Sequence, residues 1–300
     1  MRVATSQTFD RPRDLMSALS SQADKLTTQL ATNKRIQAPS DDAAAYRALT
    51  ALKREAANGE AEDANIDLAN ALLSASGTAL GSVEEQLVRA REIAITAGGN
   101  TLTAEQKQAL AAELDVIVED LLRIANAADS RGTPLFSGSS IAAPYVRQSN
   151  GSITYTGTGQ AGAIPIGDGR SIEATSSGEK IFGDIPVTGG GKSDMFAILQ
   201  GMSATLKANA PIGNAAADVV AISTSVTNAR VSIGARGARL ELEQSRMQDL
   251  ALTREEARSN IEDTDIAATI TELQKTLTVL QATQASFSKL TALSLFNYIR

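Results

Sequence analysis

The side chains that carry most enzyme chemistry are missing from this sequence. Its 300 residues contain no His, no Cys and no Trp. That removes the Ser-His-Asp triad, the Cys nucleophile, the imidazole base, the disulfide and the Cys/His zinc site. Catalysis would have to rest on carboxylates, Lys, Tyr or Ser. The paired carboxylates Glu84-Glu85, Glu119-Asp120 and Glu255-Glu256 are the first place to look. Neighbours on a helix point about 100° apart, so no pair converges on one bond. With four Tyr and six Phe in the whole chain, little is available to hold a sugar or a base. These carboxylates read as surface charge, and the chain reads as a non-enzyme.

Three other spacings imitate binding motifs. Gly157, Gly159 and Gly162 spell G-x-G-x-x-G. A dinucleotide site needs that spelling between a strand and a helix. Here AIPIGDG follows, so the glycines read as a flexible turn. Asp63, Asn65 and Asp67 imitate the start of an EF-hand, but Leu68 stands where the loop needs Gly and Ser74 where it needs Glu. They read as a solvated helix face, and no metal or cofactor is expected. Asn150-Gly151-Ser152 spells a glycosylation acceptor, and a turn explains it. Arg89, Arg91 and Glu92 on a helix face would form local ion pairs worth a few tenths of a kcal/mol.

The elements that must position these residues are mostly long helices. Alanine supplies much of the 43% hydrophobic content, and Ala-rich, aromatic-poor sequence suits narrow apolar seams. Leu15, Leu19, Leu26 and Leu30 recur at coiled-coil steps, with Gln22 and Asn33 as polar interruptions. Pro39 stops that helix. Ser40 is the expected N-cap of the next, with Asp41 and Asp42 in its positive first turn. This second helix is predicted over about 41–97, with Asn58-Gly59 as an interruption and Gly98-Gly99 as its end. Ile66, Ala69, Leu73, Ser76, Leu80, Val83, Leu87, Ala90 and Ala94 form its seam. Thr103 with Gln106 forms a capping-box pattern for a third helix.

Between 132 and 192 the texture changes. That stretch holds 13 of the 22 Gly, so it reads as a compact β insertion rather than helix. YVRQSNGSITYT predicts a hairpin with a type I′ turn at Asn150-Gly151. Helix returns at about 193. A long stretch follows over about 215–255, with a restart near 261–265. The last helix carries Ile266, Ile270, Leu273, Leu277, Leu280, Phe287 and Leu290. Its first five alternate steps of four and three, the heptad spacing. The layout is therefore mainly α, with a small β domain inserted between long antiparallel helices and the terminal helices paired as a coiled coil. Each terminal helix carries a seam that one partner cannot cover, which asks for oligomerisation. No apolar run approaches a membrane span, and MRVATSQTFDRPRDLM has no hydrophobic signal core. A net charge of -6 without a basic block argues against nucleic acid or anionic membrane as the partner.

At this point the residues resemble a known family. KRIQAPSDDAAAYRAL, LVRAREIAITAGGNTLTAEQKQAL, IANAADSRGTPLFSGS and NIEDTDIAATITELQKTLTVLQATQASFSKLTALSLFNYI are similar to segments of the bacterial flagellins. The opening MRVATSQTF is similar to the family's subunits at the junction of hook and filament, and unlike the usual filament subunit.

The resemblance implies three domains: a terminal coiled coil of 1–40 with 260–300, a helical rod of 41–131 with 193–259, and an outer β-rich domain of 132–192. It implies terminal helices that are largely disordered before assembly, and a structural subunit that assembles through them. Its expected neighbours are copies of itself, a hook-associated protein and flagellin. Export would run through the flagellar type III apparatus without a cleaved signal, with a chaperone on the tract from Ile266 to Phe296. Arg89, Arg91 and Glu92 are expected at subunit contacts, and Pro39, Ser40, Asp41 and Asp42 at the start of the second helix. The other readings are the bulk filament subunit and, less well supported, a surface adhesin using the β domain.

Overall fold

A computed structural model describes the backbone of residues 3–99 and 102–298, and the side chains of 10–99 and 102–289. Seven helices are described: α1 (Val3–Thr32), α2 (Ala43–Ala97), α3 (Ala104–Ala125), α4 (Gly178–Phe182), α5 (Met195–Lys207), α6 (Ala215–Glu262) and α7 (Ile266–Tyr298). Six short strands lie between α3 and α5: β1 (Tyr145–Arg147), β2 (Ile153–Tyr155), β3 (Ile164–Gly167), β4 (Arg170–Ile172), β5 (Ile185–Pro186) and β6 (Lys192–Ser193). The fold is mainly α with an inserted β region. The chain forms two compact units. One holds the residues up to Asn58 and those from Asp249 on; the other holds Gly59–Gln248.

The core of the larger unit follows the helical period. All nine seam residues predicted on α2, from Ile66 to Ala94, are buried. Leu80, Val83, Leu87, Ala90 and Ala94 of that seam share one core with Ala111, Leu114, Ile117, Val118, Leu121 and Ala125 of α3, Leu199, Met202 and Leu206 of α5, and Val219, Ile222 and Val226 of α6. Burying each Leu, Ile or Val contributes about 1.5–3 kcal/mol, so the shared stripe outweighs the weak intrinsic helicity of Thr, Ser and Gly along it. Thr103 starts α3 as its sequence suggests. Its hydroxyl accepts from Gln106 N at 3.3 Å, and Gln106 Oε1 accepts from Thr103 N at 2.9 Å.

Three expectations need correction. Asn58-Gly59 does not interrupt α2, which runs through it unbroken. Glycine costs an exposed helix about 1 kcal/mol, too little to break 55 residues held by packing on one side of it. Helix α6 continues to Glu262 without a stop near 255. The inserted β region lies where the sequence places it, as three two-stranded antiparallel ribbons, β1-β2, β3-β4 and β5-β6. The turn at Asn150-Gly151 is not type I′. Gly151 alone has positive φ (86°), and Gln148 N donates to Ser152 O while Gly151 N donates to Gln148 O. This is a type I turn closed by a glycine bulge. The geometry expected there occurs one hairpin later, where Asp168 (φ 49°) and Gly169 (φ 68°) join β3 to β4.

Candidate functional site

In the smaller unit α1 packs against α7. On α1 the residues turned inward are Pro12, Met16, Leu19, Ala23, Leu26 and Leu30, at steps of four and three. On α7 they are Thr269, Leu273, Thr276, Leu280, Thr283 and Phe287, at the same steps. Ala23, Thr269 and Thr276 are the buried ones. Of the predicted seam, Leu19, Leu26, Leu30, Leu273, Leu280 and Phe287 are thus brought together. Ile266, Ile270 and Leu277 are not: they stand 52%, 42% and 41% exposed, while Leu15, 50% exposed, lines the rim of the seam in a surface pocket shared with Val279, Thr283 and Phe287 of α7. The side chain of Leu290 lies outside the described residues. Helix α7 therefore carries two overlapping stripes. A mixed Thr/Leu stripe faces α1, and a purely aliphatic one faces outward.

The rotation of α7 is set at its start, where two connectors clip together. Lys34 and Asp263 form an isolated antiparallel bridge. Arg35 N donates to Glu262 O at 2.7 Å, and Thr264 N to Asn33 O at 3.3 Å. Thr264 and Thr269 share a hydroxyl contact of 3.1 Å, which holds Thr269 inward. The 3.6 period then places Thr276 and Thr283 on the same face as Thr269, together with Leu273, Leu280 and Phe287.

Glu262 anchors this clip. It is 2% exposed, and its carboxylate accepts from Lys34 Nζ at 2.7 Å and Arg258 Nη1 at 2.6 Å, with Lys53 Nζ 3.8 Å away. Burial pushes its pKa up, but Lys34, Arg258 and Lys53 together hold it below the ordinary carboxylate value. None of these four residues was singled out by sequence reasoning. The only signal available was the acidic helix restart at 261–265, which carries no sign of its cationic partners.

The start of α2 also differs from expectation. Asp42, not Ser40, caps the helix: its Oδ1 accepts from Ala44 N and Ala45 N, both at 3.0 Å. Helix α2 begins at Ala43, and a cap must reach the second and third helical amides, which Ser40 is too far back to do. Asp41 faces the other way. Its carboxylate takes Gln37 N at 3.0 Å, Ala38 N at 3.1 Å and Lys25 Nζ at 2.8 Å. The Lys25 hydrogen bond, helped by the two amides, lowers the Asp41 pKa to about 2. Pro39 and Ser40 form the turn between these anchors.

Arg89 and Glu92 are engaged within the chain. Arg89 Nε bonds Glu113 Oε1 of α3 at 2.5 Å, and its Nη1 bonds Glu92 at 2.7 Å. Arg91 is exposed beside them. The adjacent carboxylates are likewise engaged in contacts within the chain, and Glu119 and Asp120 take different partners. Glu84 meets Thr227 and Arg230, Glu119 meets Arg147, Asp120 meets Arg123, and Glu255 meets Arg258. Asp63, Asn65 and Asp67 lie within α2, where Asn65 Nδ2 donates to Pro165 O of β3. No cluster able to hold a metal occurs among the described residues. Gly157, Gly159 and Gly162 lie between β2 and β3, with no helix after them before α4. No described helix is long and apolar enough to cross a membrane.

Comparison with known proteins bears on what these helices are. The bacterial flagellin N-terminal helical region matches residues 10–140, and the flagellin C-terminal helical region matches 218–299. Together they take in more than two thirds of the chain. This chain belongs to the bacterial flagellin family. The chain is 27% identical to "Flagellar hook-associated protein 3" of Escherichia coli K12, over 99% of each chain. It is 24% identical to "Flagellin" of Listeria monocytogenes, over 82% of this chain and 80% of that one. The crystal structure of flagellar hook associated protein-3 from Legionella pneumophila shares the fold, with a TM-score of 0.64 at 17% identity, covering 75% of this chain and 99% of that one. The flagellin-family matches end before β1 and resume inside α6, so they contain α2, α3, α7 and α1 from residue 10 onward. All six strands lie in the stretch between them.

Proposed function

We propose that this chain is a structural subunit of the bacterial flagellum, an adaptor between hook and filament that works by assembly rather than by a reaction. The observation that carries this reading is the end-to-end similarity to hook-associated protein 3, against the 82% of the chain that aligns with a flagellin. The aliphatic stripe of Ile266, Ile270 and Leu277 supports assembly, because burying it requires a surface the α1–α7 pair does not supply. Its neighbours are copies of this chain, a hook-associated protein and flagellin. Arg91, exposed beside the Arg89–Glu92 pair, is a contact to an adjacent subunit. Before assembly a chaperone covers the tract from Ile266 to Phe296, and the chain leaves the cell through the flagellar export apparatus without a cleaved signal.

Immunogold labelling of isolated flagella tests the placement. A single band at the hook-filament boundary is expected. The match to flagellin favours a second reading, the bulk filament subunit, and labelling along the whole filament would establish that instead.

A further inference from the structure

The sequence contains two Asn-Gly pairs, Asn58-Gly59 and Asn150-Gly151. Glycine after asparagine leaves the following amide nitrogen unhindered, so it can attack the asparagine side chain and expel ammonia. The two pairs share this chemistry and differ in setting. We infer that Asn150 is a self-modifying site, converted to aspartate and isoaspartate by its own turn, while Asn58 is protected.

Asn58 sits within α2. There the Gly59 nitrogen belongs to the hydrogen-bond ladder of a 55-residue helix, so turning it toward the Asn58 side chain means opening that helix, whereas the Gly151 nitrogen is held by one turn bond at an exposed tip. Asn150 sits at an exposed hairpin tip, at the third position of the type I turn. Its Oδ1 accepts from Ser152 N at 3.0 Å and from Ser152 Oγ at 2.7 Å. These two donors are aimed at the oxygen on which negative charge develops when the side-chain carbon is attacked. They act as a small oxyanion hole built from one residue.

The reaction balances with water and base alone. A solvent base takes the Gly151 N–H proton, breaking its turn bond to Gln148 O. The nitrogen forms a bond to Asn150 Cγ, the bond from Cγ to the amide nitrogen breaks, and ammonia leaves with a proton from water. Water then opens the five-membered imide at either carbonyl. One opening leaves an ordinary aspartate at this position, and the other an isoaspartate, whose backbone runs through the side-chain carbon. Both products add one negative charge at the tip. The isoaspartate also lengthens the main chain beside Gly151, whose carbonyl accepts from Gln200 Nε2 of α5 at 2.9 Å, so the modified tip loosens from α5.

The test is to incubate the purified full chain in mildly alkaline buffer and follow both Asn-Gly peptides by mass spectrometry. Asn150 is expected to convert severalfold faster than Asn58. Ser152→Ala is expected to slow Asn150 severalfold and leave Asn58 unchanged. The effect is smaller than the roughly 10²–10³-fold lost from a water-excluded oxyanion hole, because the tip is solvated. Asn58 converting as fast as Asn150 overturns the inference. So does an unchanged Asn150 rate in the Ser152→Ala chain with its circular dichroism intact.

Discussion

Replacing Glu262 by Gln removes a charge from the connector clip and leaves its shape. The wild-type carboxylate is buried and accepts from Lys34 at 2.7 Å and Arg258 at 2.6 Å. The glutamine oxygen can keep one of these cations, while its NH₂ faces the other. A hydrogen bond to a charged group is worth about 1.5–3 kcal/mol, and a solvated ion pair about 0–1 kcal/mol. Lys34 and Arg258 are 43% and 33% exposed, so water takes over part of what the variant loses. The net loss is therefore about 1–3 kcal/mol, a factor of roughly 5–150 in the opening equilibrium of the clip.

Hydrogen exchange reads this directly. The Arg35 and Thr264 amides, bonded across the two connectors, should lose protection by that factor. The Gln106 amide in the α3 capping box should not change. Acid gives a second reading. The folded Glu262 carboxyl lies below its ordinary 4.5, so its contribution is complete above that pH and lost as pH falls through the lower folded value. That acid-induced loss of protection should be absent in Glu262→Gln. Wild-type protection at Arg35 and Thr264 in the variant would refute the argument that Glu262 holds the clip.

Asp42→Ala should cost about 1 kcal/mol in chemical denaturation, while Ser40→Ala stays near neutral; the reverse order would return the cap to Ser40. Phe196→Ala deletes a fully buried ring packed 5.0 Å from that of Tyr145, and should lower unfolding stability by about 3–5 kcal/mol with an unchanged denaturant slope. Ile270→Ser with Leu277→Ser changes exposed positions, so stability should stay within about 0.5 kcal/mol per site while incorporation into flagella falls. Normal incorporation would remove the aliphatic stripe from the interface. The Asp41 carboxyl should titrate near 2 by carbon NMR and move toward 3.8 in Lys25→Met, its stabilisation being complete above 3.8 and lost as pH falls through about 2.

Much of the helical architecture was legible because its cause is periodic and local. The α2 seam from Ile66 to Ala94 repeats every three or four residues, and every one of the nine is buried. The Thr103–Gln106 box needs only residues three apart, so it too could be read. The hairpin at 145–155 was visible as alternation around a turn, but not its turn type. That depends on the five-residue loop Gln148–Ser152, where Asn150 keeps negative φ. The candidate site was half legible. Leu19, Leu26 and Leu30 do face α7, but Met16, Ala23, Thr269, Thr276 and Thr283 complete the seam. A reading that weighs hydrophobicity passes over alanine and threonine, although their spacing is equally regular.

By itself the sequence determined the helices, their buried stripes in the larger unit and the family, because each rests on residues a few positions apart or on matched segments. It also determined which reactions need His, Cys or Trp that the chain lacks. Only the tertiary structure decided which way α7 turns. Two of its stripes satisfy the same heptad spacing, and the choice is made more than 200 residues from α1 in sequence, where Glu262 meets Lys34 and Thr264 meets Asn33. Hydrogen bonds and a buried carboxylate at that crossing hold the start of α7, and Leu273, Leu280 and Phe287 pack on the same inward face. The threonines go inward, and Ile266, Ile270 and Leu277 are left facing out.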